Sequence, residues 1–248
     1  MKNTRPLPLV AIGLLAISSL AMSSLAFAGD RVTGSGTEKT EVRSITGFQA
    51  VSASGSIDVV LRQGAKEGVE VRADDNLLPL IETTVVERSG TRTLEIRPAR
   101  GANYQTRHPV VVTVDLILLN ALSMAGSGDV RADSLKAGTF ELNLSGSSDA
   151  RVGQLTADDA SVHVAGSGTV KAGGRVSKLA VSIAGSGDVD AGGLQSDDVE
   201  VSIAGSGDAK VNASKTLSVT IAGSGDVTYT GDAKLKRKVV GSGNVVHR

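Results

Sequence analysis

Cysteine is absent from this chain, which excludes disulfides, thiolate metal sites and a lipid-modified N-terminal cysteine. Tryptophan is absent as well, and the chain holds only 2 Tyr and 3 Phe. Neither a bulky aromatic core nor an aromatic platform for stacking bases fits that composition. Charge of one sign is also missing, because 26 Lys+Arg balance 26 Asp+Glu. No overall field therefore points to nucleic acid or an anionic surface. Long apolar runs are confined to the first residues. Lys2 and Arg5 precede an apolar stretch from Leu7 to Leu25 that ends in Ala26-Phe27-Ala28. A basic start, an apolar middle and a small-x-small end predict an export signal over residues 1–28, cleaved after Ala28, with no membrane span afterwards.

What the chain has instead is glycine, 30 residues of it, among small aliphatics. Many of those glycines belong to one phrase, Ala125-Gly126-Ser127-Gly128-Asp129. It returns at Ala184, Ala204 and Ala222, at Ala165 with Thr169 for the Asp, and in altered copies around Gly146 and Gly241. The first glycines stand at 126, 146, 166, 185, 205, 223 and 241, so the period is 18–20 residues. A fixed period with a turn phrase in each copy predicts a stacked repeat, each unit burying its face only against its neighbours.

The residues around the phrase define that unit. Two before the first glycine stand Met124, Leu144, Val164, Ile183, Ile203, Ile221 and Val239; four before it stand Leu122, Leu142, Val162, Val181, Val201 and Val219. Four after it stand Val130, Ala150, Val170, Val189, Ala209, Val227 and Val245. Even offsets are apolar and odd offsets mostly polar, the period-two alternation of strands. Leu135, Leu155, Val176 and Leu194 supply a third inward point. The fold class is thus all-β, a parallel β-helix or β-solenoid with rungs of about 18–20 residues. Arg237, in place of an aliphatic residue and beside Lys234, Lys236 and Lys238, reads as a polar cap on an open edge.

Residues 29–44 are polar and read as a flexible lead-in; residues 45–248 read as a single solenoid domain whose regular repeats occupy 120–248. In the first half, Ile57, Val59 and Leu61, then Val69 and Val71, then Leu94 and Ile96, then Val110, Val112 and Val114 alternate in short runs. Ser54-Gly55-Ser56 resembles the later phrase, so this half reads as irregular, longer rungs of the same coil. Leu77 to Val86 contains Pro79 followed by β-branched residues, and reads as a loop leading into a strand.

The phrase carries little chemistry. Its glycines suit a sharp corner, although Ser148 replaces the second one in a single rung. Stacked Asp188, Asp208 and Asp226 would repel one another by roughly 3.5 kcal/mol per neighbouring pair at an effective dielectric of 20. Two residues beyond the Asp position stand Arg131, Arg151, Lys171, Asp190 and Lys210, whose cations suggest a lattice of ion pairs that relieves this. Calcium is the alternative, as in the glycine-rich aspartate repeats of nonapeptide β-rolls. Thr169 and Asn244 stand where Asp is expected, which suits a turn-capping acceptor better than a hard-cation ligand. Serine recurs in nearly every rung with no activating base singled out, and His163 reads as an outward surface residue. Asp74-Asp75, Asp158-Asp159 and Asp197-Asp198 read as exposed corner charges, since adjacent residues point apart. No catalytic, cofactor-binding or metal-binding residue is assigned.

Phe48-x-x-Val51, Ser56-Ile57-Asp58-Val59-Val60-Leu61-Arg62-Gln63-Gly64 and Val69-Glu70-Val71-x-Ala73-Asp74-x-Asn76-Leu77-Leu78 closely resemble the opening of the head GIN domain family. The resemblance continues through Leu94-Glu95-Ile96 and the Gly-Ser-Gly-Asp repeats, covering about residues 44–246. It implies an adhesin-like β-helical protein of the bacterial envelope, and brings no catalytic residues with it. The scarcity of aromatics predicts no self-anchoring membrane barrel. The expectation is an exported, non-enzymatic structural or binding protein, periplasmic or at the cell surface, with an envelope protein or glycan as partner and no nucleic acid. A polysaccharide-binding or polysaccharide-active β-helix, or a calcium-binding repeat, is the alternative. Open rung ends also allow homo-oligomers.

Overall fold

The computed structural model describes residues 31–88 and 90–248, so the expected export signal at 1–28 lies outside the described residues. Seventeen strands form one continuous sheet, coiled into a parallel β-solenoid. Each regular coil has an upstream face before Gly-Ser-Gly, a downstream face after it, and a third side leading to the next coil. The upstream strands Ala50–Gly55, Ala121–Gly126 and Thr139–Gly146 stack in parallel, followed by the ends of Ala150–Gly166, Thr169–Gly185, Asp188–Gly205 and Ala209–Gly223, and finally Lys234–Gly241. Register holds throughout: Gly55, Gly126, Gly146, Gly166, Gly185, Gly205, Gly223 and Gly241 are successive partners.

A period varying from 18 to 20 residues is compatible with fixed register because the slack falls on the third side. The pairing slips between Val152 and Leu155, between Lys171 and Gly173, and between Ala191 and Gln195. The upstream columns pass from coil to coil without a break. Leu122, Leu142, Val162, Val181, Val201 and Val219 are all 4% exposed or less. One expected column is corrected by these slips. Leu135, Leu155 and Leu194 do share a level on the third side, but their partner there is Gly174; Val176 pairs with Ala157 and Ser196 instead. Val176 is still buried, one inward position further along.

The first half belongs to the same sheet, though its layers do not follow chain order. Ala50–Gly55 and Ile57–Gln63 form the coil directly below residues 121–136. The layer beneath that coil comes later in the chain: Thr91–Pro98 pairs in parallel with Ala50–Gly55, and Val110–Leu116 with Ile57–Gln63. The chain then crosses from Leu116 past its own earlier coil to Ala121. Gln63 stitches the crossing, its Nε2 donating to the carbonyls of Ile117 (3.0 Å) and Lys136 (2.9 Å) while its Oε1 accepts from the Lys136 amide.

Antiparallel strands close this end. Gly68–Asp74 runs antiparallel to Val110–Leu116, Glu38–Arg43 antiparallel to Gly68–Asp74, and Ile81–Arg88 antiparallel to Thr91–Pro98. The 29–44 segment is therefore not a loose lead-in over its described part. Val32–Thr33 pairs with Tyr104–Gln105, and Arg43 donates to the carbonyls of Ile81 (2.6 Å) and Leu78 (3.0 Å). Its polar composition reflects an edge strand with water on one side, a position that charged residues protect. Leu77 to Val86 is, as expected, a turn into a strand: a 3₁₀ turn at Leu78–Leu80 precedes Ile81–Arg88.

The corner explains its own sequence. Gly185 has φ of 125°, and a Cβ built on it would lie 2.6 Å from the Gly166 carbonyl oxygen. The second glycine has ordinary backbone angles, but a Cβ at Gly207 would lie 2.0 Å from the Gly187 oxygen. Ser148, which departs from glycine in that column as Ile57 does in the first coil, is 1% exposed and its Oγ has no hydrogen-bond partner. Gly185→Ala should lower stability by at least about 3 kcal/mol in urea unfolding. Gly64→Ala, with nothing within 4 Å of the added methyl, should change it by less than about 0.5 kcal/mol. Ser148→Ala removes a buried hydroxyl that bonds nothing, and should be neutral or stabilising by up to about 1 kcal/mol.

Candidate functional site

Most of the Asp residues that close the phrase, though not Asp129, are bonded along the solenoid axis. Asp188 Oδ1 accepts the backbone N–H of Asp208 at 2.9 Å, Asp208 Oδ1 that of Asp226 at 2.9 Å, and Asp226 Oδ1 that of Asn244 at 2.7 Å. At the other end Asp58 accepts from Asp129 at 3.0 Å and Asp149 from Thr169 at 2.8 Å. Each carboxylate thus satisfies a corner amide of the next coil, an Asx-type acceptor role extended between rungs. Asn244 fits the same ladder with its Nδ2, 3.1 Å from Asp226 Oδ1.

The expected ion-pair lattice is corrected. Among the described residues no pair joins these Asp side chains to Arg131, Arg151 or Lys171; the nearest approach to the pattern is Lys210 Nζ with Asp190 Oδ2 at 4.0 Å. Solvation and amide dipoles relieve the ladder's repulsion instead. Among the described residues, no three His, Cys, Asp or Glu side chains group as a metal site would require.

The upstream face carries a flat polar strip. Ser123, Asn143, His163, Ser182, Ser202 and Thr220 are successive partners, one per coil. Alternation turns them outward because their neighbours on both sides fill the core. His163 is exposed in this strip, as its position predicts. Beside the strip lies an open groove of about 400 Å³ lined by Leu179 and by the successive partners Ser161, Ala180, Glu200 and Ser218.

The third side holds the acidic corners. Lys178 lies 3.7 Å from Asp159, and Thr216 Oγ1 donates to Asp198 at 2.6 Å. Asp197 accepts from Ser214 Oγ at 2.8 Å and pairs with Lys215 at 3.1 Å. The Ser214 hydroxyl, then Lys215, hold its carboxyl below the usual carboxylate range. These pairs lie at the surface, and exposed pairs of this kind contribute about 0–1 kcal/mol.

Asp74 is different, and the reading of it as an exposed charge is corrected: its side chain is 0% exposed. It accepts from the Arg107 amide at 2.8 Å, the Gly36 amide at 3.1 Å and His108 Nδ1 at 2.8 Å. The Arg107 amide, then His108, pull its carboxyl below the ordinary value against the effect of burial. Asp75 accepts from Ser35 Oγ at 2.5 Å, and Asn76 from the Ser35 amide at 2.9 Å. Asp74-Asp75-Asn76 therefore clamps the N-terminal strands to the loop before Val110. One signal pointed here: Gly34-Ser35-Gly36 is a Gly-Ser-Gly outside the repeat, and a Cβ on Gly34 would collide with the Asp74 carboxylate.

The described residues thus form a β-solenoid with one closed end, aliphatic columns inside and long, regular outer surfaces. The chain belongs to the family described as "Putative auto-transporter adhesin, head GIN domain", whose model matches residues 47–233. Its fold is similar to that of a "putative adhesin" from Bacteroides fragilis, with a TM-score of 0.78 at 24% identity over 88% of this chain and 100% of that one. A "putative adhesin" from Parabacteroides distasonis gives a TM-score of 0.72 at 26% identity, covering 88% of this chain and all (100%) of that one. A "Putative lipid binding protein" from the same species gives 0.69 at 26% identity with the same coverage, 88% and 100%. No curated protein matches the chain significantly.

The clamp makes a pH prediction. A carboxyl whose folded pKa is depressed adds stability above its unfolded pKa of about 3.9, and loses it as pH falls through the folded value. Asp74→Asn should lower the melting temperature at pH 7, and the gap from the parent chain should narrow progressively as pH falls below about 3.9. A gap that stays constant across that range would show that Asp74 acts by shape alone.

Proposed function

We propose that this chain is an exported, non-enzymatic, adhesin-like protein that binds a partner of the bacterial cell envelope through its upstream face. The family and its adhesin-named structural neighbours support the adhesin-like reading and an envelope or surface location. The leader pattern at 1–28 supports export. The observation that carries the binding reading is the strip from Ser123 to Thr220. Six coils in register place one small hydrogen-bonding group each at about 4.8 Å spacing, a surface roughly 24 Å long. Such a row suits an extended partner, glycan or protein, lying along the axis. Repetition also supports the non-enzymatic reading: equivalent side chains in successive coils share one environment, whereas catalysis needs one group distinguished from its neighbours.

Ser202 and Thr220 are exposed in the strip, so bulky charge there should not disturb the core. The double variant Ser202→Arg, Thr220→Arg should lose at least about tenfold in binding to isolated bacterial envelopes, while Lys171→Glu on the downstream face changes it less than about twofold. Full binding by the double variant would remove the upstream face from consideration. Release of product from an envelope polysaccharide, abolished by a single substitution, would overturn the non-enzymatic reading.

A further inference from the structure

The two ends of the solenoid are finished differently. Antiparallel strands and the Asp74 clamp close one. At the other, Lys234–Gly241 pairs only with Ala209–Gly223, and Val245–His247 only with Val227–Thr230, among the described residues. One side of the last coil therefore carries a row of strand N–H and C=O groups with no strand partner. Val239, Val240 and Val246 are 36%, 63% and 47% exposed on this coil, whereas Ile221 directly beneath Val239 is at 0%.

The charge of this coil is as unusual as its edge. Residues 234–248 contain Lys234, Lys236, Arg237, Lys238 and Arg248 and no acidic residue, in a chain with formal net charge +0. None of the five forms an ion pair among the described residues. Arg237 is the telling one. It is the partner of Val219 in the inward column and lines an open mouth of about 500 Å³ with Val239 and Val245. Asp226 also borders that mouth, but its Oδ1 is taken by the amide and side chain of Asn244.

We infer that this last coil is a docking edge for an extended acidic segment of another polypeptide, added as one more parallel strand. Lysines on an edge ordinarily prevent pairing, and here they exclude one partner clearly. Two copies meeting by this end would bring Lys234, Lys236 and Lys238 against like charges, which is destabilising across a strand pair. Simple exclusion does not account for Arg237 in the inward column or for the exposed valines beside it. A strand following the solenoid's own register meets Leu235, Arg237 and Val239 inside and Lys234, Lys236 and Lys238 outside. Its complement is apolar, acidic, apolar on the inward side and acidic at each outward position. A carboxylate over Arg237 would form a charge-assisted, bidentate pair shielded by flanking apolar side chains. Main-chain bonds supply affinity and the alternating side chains supply selectivity, the usual logic of strand addition.

The test uses the purified chain and the peptide acetyl-Glu-Leu-Glu-Glu-Glu-Val-Thr-Gly-amide, with a Lys-for-Glu peptide as control. Amide hydrogen exchange at residues 235–241 should slow at least about fivefold with the acidic peptide at low salt and lose most of that protection near 0.5 M salt. Arg237→Leu should weaken the acidic peptide at least about threefold and favour a version with Leu at the central position. Lys234→Glu, Lys236→Glu, Lys238→Glu together should invert the preference towards the Lys peptide. Unchanged exchange at Val201 and Ile203, deep in earlier coils, verifies that each variant is folded. Equal protection by both peptides, or none at millimolar concentration, overturns the inference. Phosphatidylglycerol vesicles protecting these residues where the peptide does not would overturn it in favour of a membrane surface.

Discussion

The structure depends on one backbone approach, repeated at every corner. The carbonyl oxygen of each first glycine accepts the amide of the serine one coil later, as in Ser186 to Gly166 at 2.9 Å, Ser206 to Gly185 at 2.8 Å and Ser224 to Gly205 at 2.9 Å. That approach leaves no volume for a Cβ on either side and requires φ values near 125–142° at Gly185, Gly205 and Gly223. Because the corners are superposed, the residues two and four before them must also superpose, and the aliphatic columns follow. Coils of unequal length can then coexist, provided that the surplus residues fall away from the corner. The third side, with its slipped pairings, is where they fall.

Superposition also dictates the electrostatics. Any residue chosen for the outside of one coil faces its counterpart at about 4.8 Å, so a charge repeated by the sequence becomes a ladder of like charge. The Asp ladder survives because the carboxylates of Asp58, Asp149, Asp188, Asp208 and Asp226 each bond an amide of the following coil, and exposure lets water screen the rest. The strip from Ser123 to Thr220 meets the same constraint by holding no Asp, Glu, Lys or Arg. In a solenoid the surface is consequently as periodic as the core, which favours partners that are themselves extended.

Much of this was legible in the sequence where the signal is local and repeated. Period, corner and inward columns follow from Gly-Ser-Gly and the even offsets, and the upstream and downstream faces match residue for residue. What lacked a repeating signal was misplaced. Val176 looks like a member of the Leu155 column by count, but Gly174 with its φ of 116° occupies that level, and a bulge shifts everything after it. The order of layers in the first half has no signature at all, because parallel and antiparallel strands share period two. Nothing in Val110, Val112 and Val114 says that they lie beneath Ile57, Val59 and Leu61 rather than above them. Asp74 looked like any acidic turn, since its burial is created by residues 36, 107 and 108, remote in sequence.

That layer order explains why the first half looks irregular. A parallel stack built only of equivalent coils has two open edges, each a template for further strands. Reversing direction ends the template, because an antiparallel strand on the last parallel one can no longer be followed by another copy of the same coil. To lay Gly68–Asp74 and Ile81–Arg88 under the stack, the chain must leave the solenoid path after its first coil, which forces the crossing at 117–120. The conspicuous departure from the repeat is thus the device that terminates it. Gln63 and Asp74 carry the polar satisfaction this departure requires, the first at the crossing and the second beneath it. At the opposite end the described residues show no such reversal: the parallel stack continues through Lys234–Gly241 and Val245–His247. There Arg237 interrupts a column otherwise made of valine and leucine, while the corner itself continues at Gly241 in register with Gly223.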